Sequence, residues 1–152
     1  MNLLIKNILV PIDGSSLTEK IISFAIDLAE KYQAHVTLLS VLEKPYTTLI
    51  RQGELFTPNS TKKFVEDLEK YHKKILSDAT KKIERKKSIV TLSSMLVEGR
   101  PADKIIEVSQ KGKYDLIVIG SRGLGGIKEF FLGSVSDRVA DEASCPVLII
   151  KG

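Results

Sequence analysis

Residues 117–135 read IVIGSRGLGGIKEFFLGSV, an apolar run that breaks into glycines at Gly120, Gly123, Gly125, Gly126 and Gly133. Five glycines in fourteen residues exceed what a turn requires. Glycine reaches backbone angles that other residues avoid and has no Cβ, so successive amide N–H groups can close around an anion. Gly133-Ser134 stands where a new helix should begin, which would aim a hydroxyl and unpaired N–H groups at whatever the first glycines hold. The stretch therefore reads as a strand, a phosphate-binding loop and the start of a helix.

Working outward, Asp115 to Ile119 is the strand that feeds this loop, Ser134 to Ala143 the helix that leaves it, and Pro146 to Ile150 a last strand. The same alternation runs through the preceding chain. Leu3 to Val10 is a short branched apolar run stopped by Pro11, and Asp13-Gly14-Ser15-Ser16 supplies turn and helix-capping chemistry. Leu17, Ile21, Phe24, Ala25, Leu28, Ala29 and Tyr32 then recur at helical spacing, followed by a β-branched strand from His35 to Leu42. Glu43 to Ser60, with Pro45, Gly53 and Pro58, has no sustained period and reads as a long loop of the kind that is often functional. From Thr61 to Lys87, Phe64, Leu68, Tyr71, Ile75, Ala79 and Ile83 form the apolar stripe of an amphipathic helix. Ser88 to Val97 reads as a strand. Glu98-Gly99-Arg100-Pro101 turns into a short helix buried through Ile105, Ile106 and Val108.

Strict alternation of apolar strands with helices predicts a single α/β domain over residues 1–152, an open five-stranded parallel sheet with helices on both faces. In such sheets ligands settle beyond the carboxyl ends of the strands, where the strand order reverses. Pro11-Ile12-Asp13, Val41-Leu42 and Gly120 to Ser134 all lie just past strand ends and are candidates for one shared site.

The spacing of Gly120, two residues, Gly123, nine residues, then Gly133-Ser134 resembles the nucleotide-binding branch of the universal stress protein family. ILVPIDGS at 8–15, EGRPADKI at 98–105 and SCPVLII at 144–150 follow the same family's order along the whole chain. The resemblance implies a Rossmann-like strand order of 3-2-1-4-5, ATP as ligand, usually with Mg²⁺, and a homodimer formed largely through the last strand, Val147 to Ile150. It implies that Asp13 meets the ribose or an ion near the phosphates, and that Pro11, Ile12 and the backbone of Val41 border the adenine. Gly120, Arg122, Gly123, Gly133, Ser134 and Val135 would hold the phosphates. Arg122 stands at a variable position of the family, where it would pair with phosphate or reach solvent. Asp13 and Ser134 each have a second reading as helix caps.

The 152 residues carry a net charge of +4, and the excess is local, with ten Lys or Arg against five Asp or Glu between Thr61 and Lys87. Such an interleaved helix reads as a solvated face rather than a nucleic-acid surface. No run approaches the roughly 18 to 20 apolar residues of a membrane span, and the N-terminal residues lack the signal-peptide pattern, so a cytoplasmic protein is expected. The lone Cys145 agrees with a reducing compartment.

Catalysis finds little support. Cys145 needs a base or a lowered thiol pKa, whereas His35 reads as the edge of the core and His72 as solvated surface. No metal-ligand spacing and no G-x-x-x-x-G-K-[ST] loop is present, so a catalytic metal is not expected. The reading is a nucleotide-dependent regulator in stress response, acting on an unidentified protein partner. A dimeric interaction module without nucleotide and a slow ATP hydrolase or autophosphorylating protein stay open as alternatives.

Overall fold

A computed structural model describes residues 4–44, 58–122 and 132–152. Its elements are β1 (Asn7–Pro11), α1 (Thr18–Tyr32), β2 (His35–Leu42), α2 (Pro58–Arg85), β3 (Leu92–Glu98), α3 (Pro101–Lys111), β4 (Leu116–Gly120), α4 (Ser134–Glu142) and β5 (Val147–Ile150). All four strand pairings are parallel, in the order β3-β2-β1-β4-β5. The order reverses between β1 and β4, whose registers match Ile8 to Leu116 and Leu9 to Ile117.

Alternation along the strands divides the core between the two faces of the sheet. Ile8, Val10, Val36, Leu38 and Val118 pack against Ile21, Ala25 and Ala29 of α1 and Leu76, Ala79 and Ile83 of α2. Leu9, Leu39, Ile117 and Ile119 pack against Ala102, Ile105 and Ile106 of α3 and Val139 of α4. Central strands covered on both sides are apolar at nearly every position, as in LIVIG of β4, and β2 departs from this with the buried hydroxyls of Thr37 and Ser40.

Several expectations shift. The second helix begins at Pro58 rather than Thr61, so the end of the expected long loop is helical, and 45–57 fall outside the described residues. Phe24 on α1 and Phe64 and Tyr71 on α2 are exposed although their spacing puts them on apolar stripes. The buried line of α1 runs instead through Ile21, Ile22, Ala25, Ile26 and Ala29. β3 begins at Leu92, not Ser88, and is largely exposed because it forms a sheet edge. On α2 the lysines alternate with carboxylates as a solvated face does, with Lys73 bonded to Glu69 at 2.8 Å.

Candidate functional site

At the end of β4 the chain is tied to both of its neighbours. Ser121 N–H donates to Ile150 O at 2.8 Å, and Ser121 O accepts from Gly133 N–H at 2.7 Å. The Ser136 hydroxyl, buried, lies 2.9 Å from Ser121 O and 3.1 Å from Gly133 O and shares its one proton between them. These bonds close the base of the glycine stretch: what leaves β4 at Ser121 returns within hydrogen-bond distance at Gly133. There α4 begins, with Gly133 as N-cap and Ser134 as its first residue. The first-turn N–H groups of any helix lack intrahelical acceptors, so this clasp holds a helix N-terminus beside the strand reversal.

Gly123, Gly125 and Gly126 lie outside the described residues. For Gly120 and Gly133 the reason for glycine differs from the expected one, because neither has a positive φ. Space decides instead. A Cβ on Gly120 would stand 2.9 Å from Ile21 Cδ1, where α1 crosses the strand end, and one on Gly133 would stand 3.2 Å from Ser121 O. Ser134 is exposed, and α4 has no side-chain cap, so its second reading as a cap is not what is found. Arg122 is half-buried at the first step of the loop, and Val135 packs on the α3–α4 face.

The β1 end contributes Pro11, Ile12 and Asp13. Ile12 N–H donates to Leu39 O at 2.8 Å, which ties the end of β1 to β2 two residues before Val41. Ile12's side chain belongs to the core under α1 and α2, so its backbone is what remains to border a ligand. Val41 packs on the opposite face, the one shared with Val135. Asp13 Oδ1 accepts the Ser15 N–H at 2.9 Å, an Asx turn that shapes the entrance to α1. The N-cap of α1 is Leu17, without a side-chain bond, so Asp13-Gly14-Ser15-Ser16 supplies the expected turn but not the expected cap.

His72, expected at the solvated surface, is half-buried. Its Nδ1 lies 2.7 Å from the hydroxyl of fully buried Ser40, the neighbour of Val41 in β2. Burial holds the imidazole pKa below its ordinary value, and the charge of Asp13 pulls weakly the other way. The available signal was the lone serine in HVTLLSVL: a hydroxyl in a strand sealed on both sides needs a partner from a covering helix. Burial pushes the Cys145 thiol pKa up, the reverse of nucleophile activation. Among the described residues no group of three His, Cys, Asp or Glu is arranged to hold a metal ion.

The chain is thus a doubly wound α/β domain with a clasped helix N-terminus at its strand reversal, the place where ligands settle in folds of this class. The profile of the Universal stress protein family matches residues 4–151, and the chain belongs to that family. It is 36% identical to "Universal stress protein YxiE" of Bacillus subtilis over 148 residues, 94% of this chain and 97% of that one. Among solved structures it is similar to universal stress protein UspA from Lactobacillus plantarum, with a TM-score of 0.78 and 26% identity over 98% of this chain and 99% of the other. The fold is also that of the universal stress protein from Archaeoglobus fulgidus in complex with dAMP, with a TM-score of 0.67 and 23% identity over 97% of this chain and 99% of that one.

Proposed function

We propose that the chain binds ATP at the crevice between β1 and β4 and acts as a nucleotide-dependent regulator in stress response. The observation that carries this reading is the clasp of Ser121, Gly133 and Ser136, which brings the two ends of the glycine stretch together at the N-terminus of α4. Backbone N–H groups of Gly120, Arg122, Gly123, Ser134 and Val135 hold the phosphates, with the Ser134 hydroxyl exposed beside them, whereas Gly133 has given its N–H to Ser121 O and contributes the space of a missing side chain. Pro11, the Ile12 backbone and Val41 border the base, and Asp13 meets the ribose. The dAMP complex of a protein of the same fold supports a nucleotide as the ligand class.

Mg²⁺ fits as a companion of the phosphates, since it keeps several waters and takes only one or two protein carboxylates. Asp13 is the carboxylate offered to it. Its Oδ1 already accepts the Ser15 N–H, so metal binding and the Asx turn share one group.

β5 is a sheet edge of four apolar residues, Val147 to Ile150, three of them only half-buried. Pairing with a second copy covers such an edge, and a homodimer through this strand is part of the proposal. Among the described residues no helix is long and apolar enough to cross a membrane, and a cytoplasmic setting is part of the proposal.

Mass spectrometry of nucleotide released from unheated purified protein, followed by calorimetric titration with ATP with and without Mg²⁺, tests the reading. Bound adenine nucleotide is the expected result. Empty protein that takes up no ATP would leave the dimeric interaction module, and turnover of several per second, within the ordinary enzyme range of about 1 to 10³ s⁻¹, would make it an ATP hydrolase.

A further inference from the structure

Two adjacent residues of α2 reach the two strand ends proposed to border the base. The Tyr71 hydroxyl lies against Gly14, where a Cβ would stand only 3.1 Å from it, one residue past Asp13. His72 Nδ1 lies 2.7 Å from the Ser40 hydroxyl, one residue before Val41. The two rings meet edge to face, with centroids 5.6 Å apart and planes at 82°. One step of one helix thus braces the ends of both β1 and β2.

The strand pattern shows what this brace controls. The N–H and C=O of one strand residue point to the same side, and alternate residues share a side. In β2, Leu39 O accepts from Ile12 N–H, so Leu39 and Val41 face β1, whereas Leu42 O accepts from Gly99 N–H and faces β3. The register of β1 with β2 ends at Pro11 and Leu39, so Val41 turns its N–H and C=O toward the β1 side beyond the last paired residues. A planar base can meet that edge with one donor and one acceptor. Ser40 supplies the carbonyl half of the peptide unit that carries the Val41 N–H. Its side chain is fully buried, and its hydroxyl is bonded to His72. Burial lowers the imidazole pKa, so at neutral pH the ring is uncharged and Nδ1 can accept the hydroxyl proton.

Resting on the reading that the crevice binds ATP, we propose that His72 is a positioning residue for the base: through Ser40 it fixes the Val41 peptide edge and makes the crevice select adenine over guanine. Adenine offers an amino donor at C6 and an acceptor at N1, and guanine offers the reverse, a carbonyl and an N–H. A backbone edge has fixed polarity, so it discriminates between the two while it is held in place. A loosened edge shifts to suit either base, and phosphates held at the β4–α4 clasp do not sense the change.

The test is calorimetric titration of the full chain with ATP, GTP and inorganic tripolyphosphate, beside a urea midpoint for every variant. The parent should prefer ATP to GTP by about tenfold or more, and His72→Leu should lower ATP affinity by about tenfold while GTP and tripolyphosphate stay within about twofold. His72→Asn, whose amide oxygen can stand where Nδ1 does, should restore the preference. Ser40→Ala should lose it as His72→Leu does, and the double variant should lose no more than either, because the two residues act as one link. The double variant leaves neither partner unpaired and decides the matter if His72→Leu does not fold. A parent that binds ATP and GTP alike overturns the inference but leaves the nucleotide site, whereas a parent that binds no ATP removes both. A lowered urea midpoint with an unchanged ATP-to-GTP ratio marks a merely structural contact and overturns it. So do equal losses of ATP and tripolyphosphate affinity, or an Asn variant no better than the Leu one.

Discussion

Two strand-to-helix connections meet at the reversal of the sheet, and they spend their polar groups differently. Between β4 and α4, Ser136 gives its proton to Ser121 O and Gly133 O, and Gly133 N–H closes on Ser121 O, so the polar groups of the clasp satisfy one another. Between β1 and α1, Asp13 bonds Ser15 N–H, but the Ser15 and Thr18 hydroxyls stay without partners and the helix has no side-chain cap. Similar composition thus serves two ends. A satisfied connection is a rigid frame that can present helix N–H groups to an anion without reorganising, whereas one with buried unpaired hydroxyls bears their desolvation cost.

The largest effect that can break this contrast is steric. Gly133→Val puts branched carbons against Ser121 O, and calorimetry should find ATP affinity reduced by about tenfold or more, some 1.4 kcal/mol, in a protein that still folds. Unchanged affinity would separate the clasp from the ligand. Ser136→Ala removes the shared donor while Gly133 N–H still serves Ser121 O, so urea denaturation should register a loss of about 1 kcal/mol. Asp13→Asn keeps an oxygen for the Asx turn but removes the charge. Its expected outcome is a stability within about 0.5 kcal/mol of the parent, together with weaker ATP binding in the presence of Mg²⁺; equal binding would reduce Asp13 to a turn residue.

Smaller still is the effect of His72. Its folded pKa lies below the ordinary 6.5, so in the window just below that value the unfolded chain binds more protons than the folded one. Stability from this group is fully present above pH 6.5 and is lost as pH falls through the window toward the folded value. Comparing urea midpoints between pH 8 and 5 for the parent and His72→Gln isolates it, because the carboxylates with lowered pKa values, Glu19, Glu69 and Glu107, titrate from 4.5 downward. A parent with no greater acid loss than the variant would remove the Ser40–His72 link from the account.

The parallel sheet was legible in the residues because strands sealed on both faces are largely apolar, whereas the strand order and its point of reversal followed only from the motifs that resemble the family. The candidate site could be read as a set of positions, but not the reasons for the residues that stand there. Gly120 was read as a residue with special backbone freedom, yet what excludes a side chain is Ile21 of α1, 99 residues earlier in the sequence. Ser136 was passed over because a serine two residues inside a helix looks like any polar surface position, and only the return of the chain onto Ser121 makes it a clasp. His72 was misjudged because one helix stripe cannot tell which of its flanking residues leans over a strand end. The exposed Phe64 and Tyr71 belong to the same error, since spacing fixes which residues share a helix face but not how far along its length the sheet lies beneath it.

By itself the sequence determined the α/β class, the succession of elements and the place of the glycine stretch between a strand and a helix, because periodicity and glycine spacing are local consequences of backbone geometry. The tertiary structure decided which hydroxyls are spent and which are left over, and which glycines are needed for space. Those properties depend on what lies a few ångströms away through space, on α1 against β4, α2 against β2 and Ser136 against Ser121, and no local pattern encodes that distance.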